Sequence, residues 1–156
     1  MATNYGKAWE QKVKEDFLKV TNATIDRLYD VTQGYRSIAQ VSDFIGYIFP
    51  NIFYLEVKSC RGNTFPLTNL TQYEKLISKV GILGVRAGVA LWFIDHDVAL
   101  YVPISTITKL KQDGKKSVNI KMLNDNSYNL KLIPSIKKRV FLDCDYNILK
   151  DLQEGE

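Results

Sequence analysis

The sequence has little of what cross-links or interrupts a fold: two cysteines, four prolines and one histidine in 156 residues. Cys60 and Cys144 cannot form a disulfide framework, so we expect both to pack as free thiols. One histidine and two distant cysteines also disfavour a zinc site and a serine–histidine hydrolase. The sequence has no Gly-x-x-x-x-Gly-Lys loop, so we expect no ATP chemistry and no nucleotide cofactor.

Long hydrophobic segments are missing as well. The longest apolar run, from Ala87 to Ile94, has eight residues, whereas a helix needs about 20 to span a bilayer. The first seven residues do not place an apolar stretch behind a basic start, so they do not resemble a secretion signal. We therefore expect no membrane association and a site of action in the cytoplasm, that of a bacterial host if the protein is encoded by a phage.

What the chain does contain is the composition of an ordinary globular protein. Apolar residues make up 46% and charged residues 24%, which excludes intrinsic disorder as the main state. No repeat or linker divides the sequence, so we predict a single domain over residues 1–156. The net charge of +4 makes the surface mildly attractive to polyanions, which by itself indicates nucleic acid only weakly.

Hydrophobic periodicity predicts a mixed β-sheet with helices packed on it. Asn4 is placed to cap a first helix from Tyr5 to Val20, whose apolar residues recur every three or four positions. Thr68 or Asn69 is placed to cap a second helix that continues through Val80. The remaining predicted elements are strands at 24–29, 43–48, 52–58, 87–95, 98–103, 118–122, 128–133 and 139–142, a short helix at 105–112 and a closing helix at 145–152, with a loop around Gly34.

One predicted strand carries charge where a buried strand should carry none. Glu56 and Lys58 lie within Leu55-Glu56-Val57-Lys58, and the alternation of side chains puts both on one face and Val57 on the core side. Asp43 stands thirteen positions earlier, on the other arm of the same predicted hairpin, so the turn can bring it back toward Glu56. Two converging carboxylates suit a hard divalent cation such as Mg²⁺, and a neighbouring ammonium can orient water and offset charge on a phosphate.

Two further residues are candidates for the same site. Glu10 lies on the first helix, on a different face from the apolar stripe, and can supply another carboxylate. Gln72 lies in the opening turn of the predicted second helix, where its amide can hold the attacking water. The alternatives are that Glu10 and Gln72 are ordinary surface residues, and that Glu56 and Lys58 form a solvated pair on an edge strand. His96, between two aspartates, is expected at a solvated turn.

The sequence resembles the RecU-type Holliday-junction resolvases of the PD-(D/E)xK nuclease superfamily. The resemblance is carried by Asp43, by Leu55-Glu56-Val57-Lys58-Ser59 and by Asn63-Thr64-Phe65-Pro66-Leu67, with Asn69 after it and the apolar strand at 89–94. It covers about residues 6–103, and Ser42 stands where the superfamily has its proline. The short length and compact spacing are similar to versions carried by bacteriophages.

This resemblance implies a restriction-endonuclease-like α/β fold, with a mixed β-sheet flanked by α-helices. It implies that Asp43, Glu56, Val57 and Glu10 hold Mg²⁺ or Mn²⁺, and that Lys58 assists the attacking water. The implied activity is an endonuclease that cuts four-way junctions and other branched DNA by paired nicks, as a homodimer whose two-fold symmetry matches two strands to be cut.

Basic and aromatic side chains near the proposed site are candidates for DNA contact. They are Lys7, Arg27, Tyr35, Arg36, Arg61 and Arg86, of which the basic ones would bind phosphates while Tyr35 would stack on an unpaired base. Two other functions remain open: a restriction-like or repair nuclease acting on linear or damaged duplex, and a non-catalytic DNA-binding module.

Overall fold

The computed structural model describes residues 4–34 and 36–153. The helices are α1 (Tyr5–Phe17), α2 (Tyr73–Ile77) and α3 (Ile104–Gln112), and 3-10 helices lie at Leu67–Asn69, Ile94–His96, Ile120–Asn124 and Tyr146–Asp151. The strands are β1 (Ala23–Arg27), β2 (Val31–Gln33), β3 (Arg36–Ile38), β4 (Phe44–Ile48), β5 (Asn51–Cys60), β6 (Thr64–Pro66), β7 (Val85–Phe93), β8 (Val98–Pro103), β9 (Ser117–Asn119), β10 (Lys131–Ile133), β11 (Ser135–Lys138) and β12 (Phe141–Cys144).

Six of these strands form the central sheet, in the order β1-β4-β5-β7-β8-β10. β5 and β7 run parallel, and the other neighbouring strands are antiparallel. With helices on both faces, this is the mixed α/β fold class predicted from the sequence. Because β5 is an interior strand, the charged residues in its middle lie where water is scarce.

Two hydrophobic cores lie on the two faces of the sheet. Phe53, Leu55 and Val57 of β5 belong to the core that includes α1. Tyr54 and Cys60 pack against the second core, which contains residues of α2 and α3. By the same alternation Glu56 and Lys58 share the α2–α3 face of β5, and Val57 points into the α1 core, as predicted.

The first helix follows its sequence signals. The Lys7 backbone N–H donates to Asn4 Oδ1 at 3.2 Å, which caps the helix. Trp9, Val13 and Phe17 are fully buried. The helix ends at Phe17, three residues short of the predicted Val20, because the chain tightens there into turns in which Lys19 and Val20 donate to backbone oxygens three residues earlier.

The predicted second helix is wrong in length. The predicted cap residues Thr68 and Asn69 lie in a 3-10 helix, and α2 covers only Tyr73–Ile77. A non-local contact lies where the predicted helix would start, since the Leu67 backbone N–H donates to the Lys116 carbonyl oxygen at 3.0 Å. Val80, predicted on the inner face, is 42% exposed.

The other differences are mostly in the last third of the chain. The predicted strand at 118–122 is the three-residue β9 followed by a 3-10 helix, and the closing helix is of the 3-10 type. The predicted strands at 128–133 and 139–142 correspond to shorter or shifted β10 and β12, and β11 was missed. The predicted loop around Gly34 is a β2–β3 hairpin. None of the described helices has the length and hydropathy needed to cross a membrane.

Candidate active site

Asp43 and Glu56 meet at the open end of the β4–β5 hairpin. The Asp43 backbone N–H donates to Glu56 Oε2 at 3.1 Å, and the Val57 backbone N–H donates to Asp43 Oδ2 at 2.8 Å. Each carboxylate is thus fixed by a backbone donor next to the other. The two acidic side chains are held close enough for a side-chain hydrogen bond between their carboxyl groups.

The register of the hairpin produces this arrangement. Phe44 pairs with Leu55, so the preceding Asp43 comes beside Glu56. Ser42 is buried, and its Oγ donates to the Phe44 carbonyl oxygen at 2.7 Å, which fixes the entry into β4. The sequence analysis missed this role of Ser42. A serine just before a strand is a local signal for it, because serine side chains often bond to backbone groups nearby in sequence.

The surroundings of Glu56 disfavour its negatively charged form. Its side chain is 1% exposed, and burial, with the adjacent Asp43 as the next cause, raises its pKa from 4.5 to about 8. Lys58 acts in the opposite direction but lies 3.5 Å away, with Nζ facing Glu56 Oε1. A single ammonium therefore leaves the pair of acidic groups short of positive charge.

Lys58 is the more accessible partner of this pair. Its side chain is 27% exposed, so the ammonium can reach both Glu56 and a molecule outside the protein. This differs from a solvated pair on an edge strand, because β5 is interior and Glu56 is buried.

Glu10 lies on α1 and its carboxylate forms an ion pair with Arg27 of β1. Arg27 in turn lies over the ring of Phe44, with 5.5 Å between the guanidinium carbon and the ring centroid. Phe44 follows Asp43 directly, so Arg27 connects Glu10 to the neighbourhood of the carboxylate pair. The sequence reasoning assigned Arg27 to DNA and did not anticipate its contact with Glu10.

Gln72 is the residue that precedes α2, and its Oε1 accepts from Thr71 Oγ1 at 2.8 Å. It does not directly follow the strand that carries Lys58, because β6 and a 3-10 helix intervene. It is half-buried. The structure thus places its amide at the start of α2, on the side of the sheet that also carries Glu56.

The candidate DNA-contacting residues have different environments. Lys7 is exposed. Arg61 pairs with Asp95 at 2.7 Å and stacks over Tyr5, with 4.8 Å to the ring centroid. Arg86 is not free for phosphate, because its guanidinium donates to the carbonyl oxygens of the C-terminal segment at 152 and 153. Tyr35 and the side chain of Arg36 lie outside what the structure describes.

The remaining candidates for chemistry have structural partners. His96 is exposed and its Nε2 lies 2.7 Å from Asn63 Oδ1. Burial raises the pKa of the Cys60 thiol to about 11 and that of the Cys144 thiol to about 12. Both cysteines are free thiols, and these pKa values keep them protonated at neutral pH.

The donors at the site fit a hard divalent cation. Within residues 4–34 and 36–153, no three His, Cys, Asp or Glu side chains form a group that could hold a metal, so Glu10 does not complete a three-carboxylate cluster with Asp43 and Glu56. Two carboxylates are nevertheless sufficient for Mg²⁺, which keeps several waters and shares substrate phosphate oxygens. The raised pKa of Glu56 indicates that a cation would relieve the stress on this pair.

An aspartate that precedes one strand, a Glu-x-Lys sequence in its antiparallel neighbour and helices on both faces of a mixed sheet form an arrangement typical of PD-(D/E)xK nucleases. A sequence model of the family described as Recombination protein U, RecU, matches residues 4–142. The chain belongs to the RecU family. The predicted family is thereby confirmed, and with it the enzyme class, an endodeoxyribonuclease that resolves Holliday junctions. Resolvase nucleases of this kind use divalent metal ions.

Solved structures are also similar to this chain. No curated protein matches the chain. One matching solved structure is Hjc from Archaeoglobus fulgidus, described as a Holliday junction resolvase from an archaeal hyperthermophile. It is 17% identical over 87% of this chain and 91% of that chain, with a TM-score of 0.49.

Proposed function

We propose that Asp43, Glu56 and Lys58 form the catalytic centre of a Mg²⁺- or Mn²⁺-dependent resolvase that nicks branched DNA. The observation that supports this most strongly is the reciprocal backbone bonding of Asp43 and Glu56, at 3.1 and 2.8 Å. It holds the Asp43 carboxylate beside the Glu56 carboxylate of the interior strand β5, where their repulsion is costly unless a cation is present. The Val57 backbone carbonyl is a further ligand in this proposal.

The chemistry is hydrolysis of a phosphodiester. Water attacks phosphorus in line, the bond to the 3′ oxygen breaks, and the products are a 5′-phosphate and a 3′-hydroxyl. A bound Mg²⁺ supplies positive charge at the scissile phosphate and makes the water easier to deprotonate. Lys58 donates to the attacking water or to a phosphate oxygen, for which its partial exposure and its 3.5 Å separation from Glu56 are suitable.

Glu10 and Gln72 are given supporting roles. Arg27 holds the Glu10 carboxylate through their ion pair. In this position Glu10 orients water at the margin of the site. Gln72 presents its amide from the start of α2 toward the substrate. Both assignments place polar groups from separate elements around the carboxylate pair.

Lysines on the α2–α3 side of the sheet support contact with DNA phosphates. Lys79 Nζ lies 5.0 Å from the ring centroid of Tyr54, the residue two positions before Glu56 on the same face of β5. Lys111 Nζ lies 3.8 Å from the ring centroid of Tyr73, next to Gln72. Cation–π contacts hold both ammonium groups on the surface that leads to the site. Lys7 and Arg61 are the remaining described candidates for phosphate contact.

The assembly proposed is a homodimer that acts on a four-way junction in the cytoplasm. Two strands of equal polarity must be cut, and two identical sites related by a two-fold axis match that requirement.

The direct test is the substitution Asp43→Asn in a cleavage assay with a synthetic four-way junction and Mg²⁺. We expect the rate to fall by on the order of 100-fold or more, because the carboxylate charge is lost. Asp26→Asn is the matched control, since Asp26 is an exposed aspartate of β1. Undiminished cleavage by Asp43→Asn would refute the site.

Two further measurements separate the alternatives. A large excess of linear duplex should barely inhibit junction cutting, whereas strong inhibition would favour a restriction-like or repair nuclease. EDTA should abolish cutting and Mn²⁺ or Mg²⁺ should restore it, whereas a DNA-binding module would neither cut DNA nor bind divalent cations at Asp43 and Glu56.

A further inference from the structure

A surface of exposed hydrophobic side chains lies at the turn between β4 and β5 and in the connection from α2 to β7. We name it the apolar patch and define it by Phe49, Ile52, Val80, Ile82 and Leu83. Leu83 is 84% exposed, Phe49 69% and Ile82 52%. Large side chains exposed together in this way mark an interaction surface more often than isolated ones do.

The apolar patch borders a groove, and three of its residues line that groove. A cavity of about 780 Å³ is lined by Val80, Ile82 and Leu83 and extends inward to Ala87 and Ile104. The Ile52 backbone N–H donates to the Gly84 carbonyl oxygen at 2.7 Å, so the two loops that bear the patch are joined. A projecting side chain and a concave apolar wall therefore occupy the same face of one molecule.

The charges around the groove argue against DNA as its occupant. Among the lining residues the charged ones are Arg86 and Lys150. The Arg86 guanidinium donates to the backbone oxygens of Leu152 and Gln153, which ties it to the chain's own C-terminal segment. A surface that offers one accessible cation and mostly hydrocarbon does not fit a phosphate backbone.

The extent of the patch fits a contact between two protein chains. From their exposed fractions, the five side chains present on the order of 500 Å² per molecule, against about 800 Å² per partner in a standard interface. An isologous contact would let Leu83 of each copy enter the groove of the other, because the same surface supplies both shapes.

The patch is also placed so that its contact does not block catalysis. Asn51, at the patch end of β5, is five residues from Glu56, which corresponds to about 17 Å along a strand. A partner seated on the patch would therefore leave the carboxylate pair open at the other end of the strand.

We propose that the apolar patch is the dimer interface, occupied by a second copy of this chain in a two-fold contact. This inference rests on the proposed function, which requires two symmetric cuts, and it adds the surface that brings the two sites together. In this contact the Leu83 and Phe49 side chains of both copies are buried from water on either side of the two-fold axis.

Sedimentation equilibrium without DNA or metal tests the proposal. The native chain is expected at twice its 17.9 kDa, and Leu83→Glu is expected to weaken the dimer by on the order of 100-fold or more, since two buried leucines are replaced by charges. Because Leu83 is so exposed, the monomer fold is kept, which circular dichroism verifies. Ile136→Glu is the control, since Ile136 is 66% exposed on β11, outside the patch, and should remain dimeric.

Three results would overturn the interface: a native chain that is monomeric, a Leu83→Glu dimer as tight as the native one, or an equal loss of dimer in Ile136→Glu. None of these depends on the active site. Asp43→Asn should sediment as a dimer, so failure of the catalytic assignment and failure of the interface give different results.

Discussion

Replacing Glu56 by glutamine measures how much stability the protein gives up to keep this carboxyl group buried. The folded-state pKa of Glu56 is about 8, against an ordinary value of 4.5. The folded protein therefore prefers the protonated form. Stability from this group is fully present below pH 4.5, falls as the pH rises toward 8, and does not fall further above 8.

The size of the effect follows from the two pKa values. At 1.36 kcal/mol per pH unit, the change from 4.5 to about 8 corresponds to a loss on the order of 3–5 kcal/mol in the metal-free protein. Glutamine has nearly the same shape, can still accept from the Asp43 N–H, and cannot ionise. Glu56→Gln should thus be more stable than the native chain at pH 8 and about equally stable at pH 4.5.

Urea unfolding in EDTA at the two pH values checks this prediction. Glu15→Gln, at an exposed position of α1, is the control and should change the free energy of unfolding little at either pH. Adding Mg²⁺ at pH 8 should stabilise the native chain more than Glu56→Gln. A variant that is less stable than the native chain at pH 8, or equally shifted at both pH values, would refute the reasoning.

Three further outcomes are expected. Gly88→Ala should cost about 1–3 kcal/mol of unfolding free energy, because the new methyl would lie 2.5 Å from the Tyr101 ring. Lys111→Met should reduce the slope of log affinity for a junction against log salt by about one, the effect of one lost phosphate contact. Arg27→Met should lower the single-turnover cleavage rate by about tenfold, because Glu10 loses the partner that holds it.

Each of these outcomes has a matched control. Gly6→Ala should have a free energy of unfolding at least as high as that of the native chain, since its new methyl would contact only Asn4 Oδ1 at 3.5 Å. Lys138→Met, on the exposed strand β11, should leave the salt slope unchanged. Each prediction is refuted by the opposite result. These results are native stability in Gly88→Ala, an unchanged salt slope in Lys111→Met, and full cleavage by Arg27→Met.

The sequence determined the elements whose signals are local. The Asn4 cap and the apolar stripe of α1 predicted that helix to within three residues at its end, and β8 was predicted with the bounds Val98–Pro103. The hairpin that brings Asp43 to Glu56 was also readable, because a short turn between two apolar strands fixes which residues face each other.

Tertiary structure alone decided the rest. Whether Glu56 is a solvated surface acid or a buried one with a raised pKa depends on β7, which covers β5 on its other side. The start of the second helix was mispredicted where Leu67 bonds to the distant Lys116. Periodicity also cannot tell a residue that faces the core from one, such as Val80, that remains exposed. Local patterns specify which backbone conformations have low free energy, whereas burial and charge energies depend on neighbours that are distant in sequence.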